Sequence, residues 1–262
     1  MEMPPDPVPS SVRPRVALFI TCLVDLVRPS VGFAAVKLLQ DAGCEVHVPE
    51  LQTCCGQPAY NSGDRATAQD LALQVIGAFE NFDYVIAPSA SCAGMLKMHT
   101  PKLFADDPPR AARAHAFASR VHELMSFLVN VRQQTMVAGT FEGRVTYHDS
   151  CASLRETPGS AAARRLLTAM PGVNLIEMAD REACCGFGGL FSIKYDSISD
   201  AIVAKKTAAA AATGAHLLTG PDLGCLMNIA GKLSREGSPI ACRHVAELLA
   251  GEMSAPPIGR AG

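Results

Sequence analysis

Short apolar runs alternate with longer amphipathic segments along this chain, and the whole order occurs twice. Buried strands are predicted at 16–21, 45–48 and 84–87, and again at 144–147, 173–176 and 216–218. Helices are predicted at 30–42, 64–82, 160–170 and 196–213, with others beginning near Ser91 and after the sixth strand. Strands that alternate with helices in this way are typical of βαβ units. The pattern predicts an α/β fold of two pseudo-symmetric halves with parallel sheets, related by internal duplication.

The repeat places a boundary near the middle of the chain, with a first half at 15–136 and a second at 137–250. Five prolines lie within the first 14 residues, and two prolines and three glycines lie near the other end. We therefore expect disordered tails at 1–14 and 251–262. Between the repeats, apolar residues at helical spacing over 111–131 predict one helix that packs between the halves.

Composition narrows the classes of partner. The 262 residues include 23 basic and 25 acidic side chains, a balance that favours neither nucleic acid nor an anionic membrane surface. No apolar stretch approaches the roughly 20 residues of a membrane-spanning helix. The apolar run at 16–24 follows two arginines, as in a secretory signal, but Asp25 interrupts it and no small-residue cleavage site follows. The prediction is a cytoplasmic protein.

Eight of the ten cysteines form a duplicated constellation around two copies of Cys-Cys-Gly. The first set is Cys22, Cys54, Cys55 and Cys92, and the second is Cys151, Cys184, Cys185 and Cys225. The spacings are 31 and 36 intervening residues in the first set, and 32 and 39 in the second. Four thiolates in each half are a ligand set suited to iron or zinc.

The predicted strands explain how cysteines so far apart can meet. In each half the single cysteine, the cysteine pair and the last cysteine follow successive strands. Parallel strands end at the same edge of a sheet, where α/β proteins bind ligands. Helix N-termini at that edge favour the thiolate form. Gly56 and Gly186 are expected to let backbone N–H groups approach the sulfur atoms.

The residues alone favour iron–sulfur clusters over zinc, although zinc stays open. Zinc sites usually draw on cysteines two to four residues apart, and the sequence has no such pair. Adjacent cysteines suit a cluster, in which each can bind a different iron, and they suit a disulfide poorly. Cys44 and Cys242 have no counterpart in the repeat, and we interpret them as small buried apolar residues.

Two other features near the cysteines have a structural interpretation. His148 lies three residues before Cys151 and could hydrogen-bond a cluster or transfer a proton. The first half has no histidine at the matching place, so a hydrogen-bonded histidine at a strand end is the simpler expectation. Lys205 and Lys206 are expected to lie on the solvated face of a helix.

These motifs resemble the CCG-domain (cysteine-rich domain) iron–sulfur proteins. The matching strings lie at 54–63, 89–92, 147–151, 184–189 and 224–228, and within the family they are most similar to the lactate-utilization branch. More distant members are the CCG-domain component of heterodisulfide reductase and the iron–sulfur subunit of glycolate oxidase. Met95 and Asn228 stand where heterodisulfide reductase-type members have a further cysteine, so four ligands per half are expected.

The resemblance implies a function as well as a fold. It implies two clusters of the 4Fe-4S type, bound by the eight cysteines of the repeat. It also implies two partners, a ferredoxin-like iron–sulfur protein and a third lactate-utilization subunit, in oxidising L-lactate to pyruvate.

The sequence contains no flavin or nicotinamide fingerprint, because the stretch 186–189 does not complete one. We therefore expect an electron-transfer subunit of an oxidoreductase rather than a complete enzyme. A thiol–disulfide reductase subunit of the heterodisulfide reductase type and a zinc-stabilised scaffold without redox function remain alternatives.

Overall fold

Two four-stranded parallel sheets form the framework of the protein. The computed structural model describes residues 13–157 and 159–260. The first sheet contains β1 (Arg15–Leu18), β2 (Glu45–His47), β3 (Tyr84–Ala87) and β4 (Val121–Glu123), in the order β2-β1-β3-β4. The second contains β5 (Gly143–Tyr147), β6 (Val173–Leu175), β7 (Leu217–Gly220) and β8 (Ala241–His244), in the order β6-β5-β7-β8. Every strand pair is parallel.

Helices connect the strands in both halves. In the first half they are α1 (Cys22–Val27), α2 (Pro29–Asp41), α3 (Gln57–Asn61), α4 (Arg65–Phe79), α5 (Ala90–Gly94), α6 (Pro108–Ala118) and α7 (Leu124–Ser126). In the second half they are α8 (Cys151–Arg155), α9 (Gly159–Ala169), α10 (Phe191–Lys194), α11 (Asp196–Ala212), α12 (Leu223–Arg235) and α13 (Val245–Ala250). Single π-helical turns at Met95–His99 and Phe127–Val131 and a 3-10 turn at Pro101–Phe104 complete the first half.

The predicted α/β fold with two similar halves is confirmed, and all six predicted strands are present. Their ends differ by a few residues from the prediction. The first strand ends at Leu18 rather than at position 21, because the backbone N–H of Ile20 donates to the side-chain oxygen of Gln52 (2.8 Å) instead of continuing the sheet. Each sheet also has a fourth strand, β4 or β8, that the sequence pattern did not predict.

The predicted single helix over 111–131 is wrong. α6 ends at Ala118, and β4 then pairs with β3 before α7 begins. Glu123 marks the change of structure, since its carboxylate accepts hydrogen bonds from the backbone N–H groups of Met125 (3.0 Å) and Ser126 (2.9 Å) and caps α7. The apolar positions of this segment are buried as expected, but a short buried strand satisfies the same apolar pattern as a helix.

The last helix of each half packs against a helix of the other half. α13 of the second half packs on α2 of the first, and α7 of the first half packs on α9 of the second. One hydrophobic core therefore contains residues of both sheets, such as Leu18 and Val145. At this contact the single Nε–H of Arg28 is shared by the two carboxylate oxygens of Glu247 (2.9 and 3.0 Å), and the hydroxyl of Ser30 donates to one of them (2.6 Å). The division into halves at 136/137 remains a prediction from the repeat.

The segment after α13 is not the disordered tail that its composition suggests, as far as residues 251–260 are concerned. The backbone N–H of Ile258 donates to the carbonyl of Cys242 in β8 (2.8 Å), and Arg260 donates to the carbonyls of Ser238 and Ile240. These contacts attach the segment to the edge of the second sheet. Residues 1–12 of the predicted N-terminal tail lie outside the described residues. Within residues 13–157 and 159–260, none of the helices combines the length and apolar character required to span a bilayer.

Candidate metal centre

The cysteine-bearing loops follow neighbouring strands of each sheet, as the sequence predicted. Cys22 and Cys151 are the first residues of α1 and α8, which follow the central strands β1 and β5. Cys92 lies in α5 after β3, and Cys225 lies in the first turn of α12 after β7. In the first sheet the connection after β1 leads to one edge strand, β2, and the connection after β3 leads to the other, β4. The second sheet repeats this arrangement with β5 and β7. A point where neighbouring connections diverge in this way is where parallel α/β sheets form ligand sites.

In the first half the four sulfur atoms form a chain of neighbours. The thiol of Cys55 donates to the sulfur of Cys92 at a sulfur–sulfur distance of 3.4 Å. The thiols of Cys22 and Cys55 lower the pKa of Cys54, helped by the backbone N–H groups of Gly56 and Cys55. The same contact with Cys54, together with burial, raises the pKa of Cys22. The contact between Cys22 and Cys54 thus shifts the pKa values of the two thiols in opposite directions.

The second half repeats this electrostatic pattern. The thiols of Cys151 and Cys185 lower the pKa of Cys184, and the N–H of Gly186 adds to the effect. Contact with Cys184 raises the pKa of Cys151, and contacts with Cys184 and Cys225 raise that of Cys185. In both halves the pKa of the first cysteine of the Cys-Cys-Gly motif is thus lowered by its neighbouring thiols.

Each set has an exposed end and a buried end. The sulfur-bearing residues Cys22 and Cys184 are exposed, whereas Cys55, Cys92 and Cys185 are buried. The remaining three members, Cys54, Cys151 and Cys225, are partly buried. A group bound by either set would be sheltered by protein on one side and accessible from the surface on the other.

The two Cys-Cys-Gly glycines have left-handed backbone conformations, with φ of +86° at Gly56 and +80° at Gly186. The N–H of Gly186 donates to the sulfur of Cys184 (3.3 Å), as expected from the sequence. A Cβ at position 186 would lie 2.7 Å from the carbonyl oxygen of Ser199, whereas the nearest atoms to a Cβ at position 56 are 3.7 Å away. Glycine is therefore required at Gly186 by both backbone conformation and space.

His148 is not the hydrogen-bonded histidine that the sequence suggested. Its side chain is 1% exposed, and neither ring nitrogen has a hydrogen-bond partner among the described residues. Its ring lies beside the second cysteine set. Within the part of the chain that the structure describes, the group of three metal-ligating side chains whose donor atoms all lie within 4.8 Å of one another is His148, Cys185 and Cys225. Contact with Cys185, and then with His148, lowers the pKa of Cys225 to about 7.

Lys206 does not lie on a solvated helix face, so that prediction is wrong. It is fully buried, and its ammonium group donates to the backbone carbonyls of Asp180 (3.2 Å) and Arg181 (2.9 Å) in the loop that leads to Cys184. The side of α11 that carries Lys206 faces that loop and not solvent. The neighbouring Lys205 is exposed, as expected.

Asp222 joins the two cysteine sites, and sequence reasoning missed it. It lies three residues before Cys225 and is 4% exposed. One carboxylate oxygen accepts hydrogen bonds from the hydroxyls of Ser89 (2.6 Å) and Ser91 (2.8 Å) and from the N–H of Ser91 (3.1 Å), in the loop before Cys92. The repeat could have indicated Asp222. It lies three residues before Cys225, as Ser89 lies three residues before Cys92, and serine and aspartate are both typical N-cap residues.

The two cysteines outside the repeat are buried apolar residues, as expected. Cys44 is 4% exposed and Cys242 is 1% exposed. Burial raises the pKa of both thiols, that of Cys242 to about 12. Neither is positioned in the loops that bear the repeated cysteines.

Comparison with known proteins gives results that match this geometry. The sequence model of the cysteine-rich domain family, CCG, matches residues 16–97 and 145–230, one segment in each half. Lactate utilization protein A of Oceanobacillus iheyensis is 45% identical over 90% of this chain and 96% of its own length. The proteins of the same name from Geobacillus thermodenitrificans and Bacillus licheniformis are 45% and 44% identical, over 90% of this chain and 98% of their own lengths.

A solved structure shares the fold. It is a hypothetical protein from Helicobacter pylori, with a TM-score of 0.64 and 11% sequence identity. The match covers 99% of this chain and 51% of that structure, so this chain spans about half of the longer protein. At this level of identity the similarity concerns the fold alone.

Proposed function

The chain belongs to the CCG cysteine-rich domain family, and we propose that it is an iron–sulfur electron-transfer subunit of a multi-protein system that oxidises L-lactate to pyruvate. The name of its relatives, lactate utilization protein A, supports a role in lactate utilization. The observation that carries the iron–sulfur assignment is the duplicated set of four cysteines at equivalent sheet edges.

The donor chemistry fits a cluster with several metal ions. A single tetrahedral zinc ion with Zn–S bonds of about 2.3 Å would hold all four sulfurs roughly 3.8 Å apart. Among the described residues, no three sulfurs of the first set lie within 4.8 Å of one another, although Cys55 and Cys92 are in contact. The adjacent cysteines of each Cys-Cys-Gly motif support a polynuclear group, in which each thiolate binds a different metal ion.

The residues that would hold the clusters are Cys22, Cys54, Cys55 and Cys92 in the first half and Cys151, Cys184, Cys185 and Cys225 in the second. When bound, clusters of the 4Fe-4S type supply one-electron redox chemistry. The protein orients the sulfurs, provides the N–H of Gly186 to Cys184, and shields the buried end of each set from water. Hydrogen bonds and restricted solvent access are the means by which a protein sets a cluster potential.

The surface around the exposed cysteines supports transfer to other proteins. Leu26 and Leu51, close in sequence to Cys22 and Cys54, are 80% and 85% exposed. Ile193 in α10, nine residues after Cys184, is 77% exposed. Exposed large apolar side chains are candidates for contact with a partner protein. The proposed partners are a ferredoxin-like iron–sulfur protein and a third lactate-utilization subunit.

A reconstitution experiment tests the assignment. The chain, purified without oxygen and containing its iron, is mixed with L-lactate and its visible spectrum is followed. We expect no reduction by lactate alone, and reduction once the ferredoxin-like protein and the third subunit are added. Rapid reduction by lactate without any partner, or no reduction with both partners present, would contradict the proposed role.

A second candidate function is the reduction of disulfides. It is favoured by the exposure of Cys184 together with its lowered pKa, since exposed thiolates react with disulfides. This alternative predicts that an added disulfide changes the spectrum of the reduced protein without lactate or partner. An unchanged spectrum with a series of thiols and disulfides would eliminate it.

A further inference from the structure

His148 occupies a fixed place beside the second cysteine set. It follows β5 directly, and its backbone N–H donates to the carbonyl of Thr219 in β7 (2.8 Å). The side chain points away from solvent, since the residue is 1% exposed. The following residue, Asp149, is held by two hydrogen bonds from the guanidinium of Arg164 (2.9 and 2.8 Å), which further fixes the loop before Cys151.

The ring of His148 lacks the hydrogen bonds that a buried imidazole normally makes. The other fully buried histidine, His244, shows the usual situation: its Nε2 pairs with the carbonyl of Pro221 (2.9 Å), and its Nδ1 accepts from the N–H of Ala246 (3.2 Å). Among the described residues, neither ring nitrogen of His148 meets the geometry of a hydrogen bond, although the ring contacts the thiol of Cys225. A buried polar group without a hydrogen bond is unfavourable, so a binding partner for this ring is expected.

What faces the ring is a set of metal-binding atoms. A ring nitrogen of His148 and the sulfurs of Cys185 and Cys225 lie mutually within 4.8 Å. Imidazole nitrogen and thiolate sulfur together form a donor set that iron and zinc accept. The buried cation on α11, Lys206, donates to the backbone carbonyls of Asp180 and Arg181.

The first half has no equivalent donor. Three residues before Cys22, where the second half has His148, the first half has Phe19. Its backbone N–H donates to the carbonyl of Ile86 in the matching way (2.8 Å), but its ring is fully buried against Phe79, with ring centroids 5.5 Å apart. The two sites are therefore alike in their cysteines and different in this one position.

We propose that His148 is a nitrogen ligand of the second metal centre, so that this centre has a mixed cysteine–histidine ligand set while the first is bound by cysteine alone. The inference depends on the proposed function only in that the second cysteine set must bind iron. A nitrogen ligand changes the electron density at its iron, and ligand identity is one of the main determinants of cluster potential. The two centres would then have different midpoint potentials.

Pulsed electron paramagnetic resonance (EPR) on protein labelled with 15N-histidine tests this directly. The reduced second centre is observed in Cys54→Ser protein and the reduced first centre in Cys184→Ser protein. We expect a histidine 15N hyperfine coupling of a directly bound nitrogen in the former and none in the latter. This measurement leaves His148 in place, so it does not depend on the folding of a His148 variant.

Substitutions at two histidines provide the matched comparison. His148→Phe, which introduces the residue of the first half, should abolish the coupling and shift the midpoint potential of the second centre alone. His216→Phe removes an exposed histidine at the opposite end of the same sheet and should change neither. A second-centre signal without 15N coupling, or with coupling that survives His148→Phe, would overturn the inference.

Failure of the inference and failure of the proposed function give different results. Iron and sulfide in both centres, but no histidine coupling, would reject His148 as a ligand and leave the electron-transfer proposal intact. A protein that contains zinc and no sulfide would reject the proposed function itself.

Discussion

At the scale of single residues, two glycines with the same motif have different surroundings. Gly56 and Gly186 both follow a pair of cysteines and both have positive φ. Only at Gly186 does a backbone atom, the carbonyl oxygen of Ser199, lie where a side chain would have to be placed. The hydroxyl of Ser199 in turn donates to the carbonyl of Gly186 (2.8 Å), which keeps α11 close to the motif.

Gly186→Ala should therefore be more damaging than Gly56→Ala. The left-handed backbone alone costs about 1–2 kcal/mol for alanine at position 56. At position 186 the contact with Ser199 adds to it, and the loss in unfolding free energy should reach about 3 kcal/mol or more. Denaturant unfolding without oxygen measures both. Equal losses for the two variants would show that the close approach of α11 is not rigid.

Glu123 gives the protein a specific dependence on pH. Burial raises the pKa of this carboxyl to about 7, with a smaller contribution from the charge of Asp222, against hydrogen bonds from the N–H groups of Met125 and Ser126. Because the folded-state pKa exceeds the ordinary value, the protonated form favours folding. Its contribution is complete at low pH and is lost as pH rises towards 7.

Glu123→Gln should remove this dependence. For the unsubstituted chain, unfolding free energy should fall between about pH 4.5 and pH 7, by on the order of 3 kcal/mol, relative to the variant. The measurement is denaturant unfolding at a series of pH values, and Glu236→Gln, at an exposed position, is the control. The same slope in Glu123→Gln and in the unsubstituted chain would contradict the assignment.

The sequence predicted the residues that belong to the repeated cysteine motif, and it did not predict the surroundings of residues whose burial depends on tertiary packing. The duplicated cysteines and the N–H of Gly186 were predictable, because the spacing and residue types of the motif determine them. Lys206 and His148 were not. Their positions depend on how α11 and the loop after β5 pack in three dimensions, and neither residue has a counterpart of its own type in the first half by which the repeat could mark it.

At the scale of elements, the packing of α13 of the second half on α2 of the first depends on a buried ion pair. Glu247 in the first turn of α13 is fully buried, receives hydrogen bonds from Arg28 and Ser30 at the start of α2, and accepts from the backbone N–H of His244 (3.0 Å). Removing one partner of such a pair leaves an uncompensated buried charge.

Glu247→Ala should consequently destabilise the whole protein by about 3–5 kcal/mol, because Arg28 loses its partner and α13 loses its capping box. The control is Asp200→Ala, which removes the exposed pair with Lys232 and should leave the unfolding free energy close to that of the unsubstituted chain. Denaturant unfolding compares the two. A similar small effect from both would show that α13 and α2 are held by apolar packing alone.

Among the elements, the six strands and their parallel pairing followed from the alternation of apolar runs and helices, whereas the strand order within each sheet was not predicted. The strands β4 and β8 were not predicted, because each has only three or four residues and lies next to a helix. A segment this short shows no clear alternation of apolar and polar positions. The contacts of α13 on α2 and of α7 on α9 could not be predicted from either half, since each joins segments that the repeat treats as separate.

At the scale of the whole molecule, the two cysteine sites belong to one structural unit. The halves share a hydrophobic core, and Asp222 of the second half accepts hydrogen bonds from the loop before Cys92 of the first. Each half nevertheless has its own set of four sulfurs at its own sheet edge. The central claim is that each set binds one iron–sulfur cluster.

Iron, acid-labile sulfide and EPR spectra of the protein purified without oxygen test this claim most directly, with Cys54→Ser, Cys184→Ser and Cys44→Ser compared. We predict that the first two variants each lose one centre and about half of the iron and sulfide, while Cys44→Ser keeps both. Zinc without sulfide, or the full amount of iron in both Cys54→Ser and Cys184→Ser, would contradict the account.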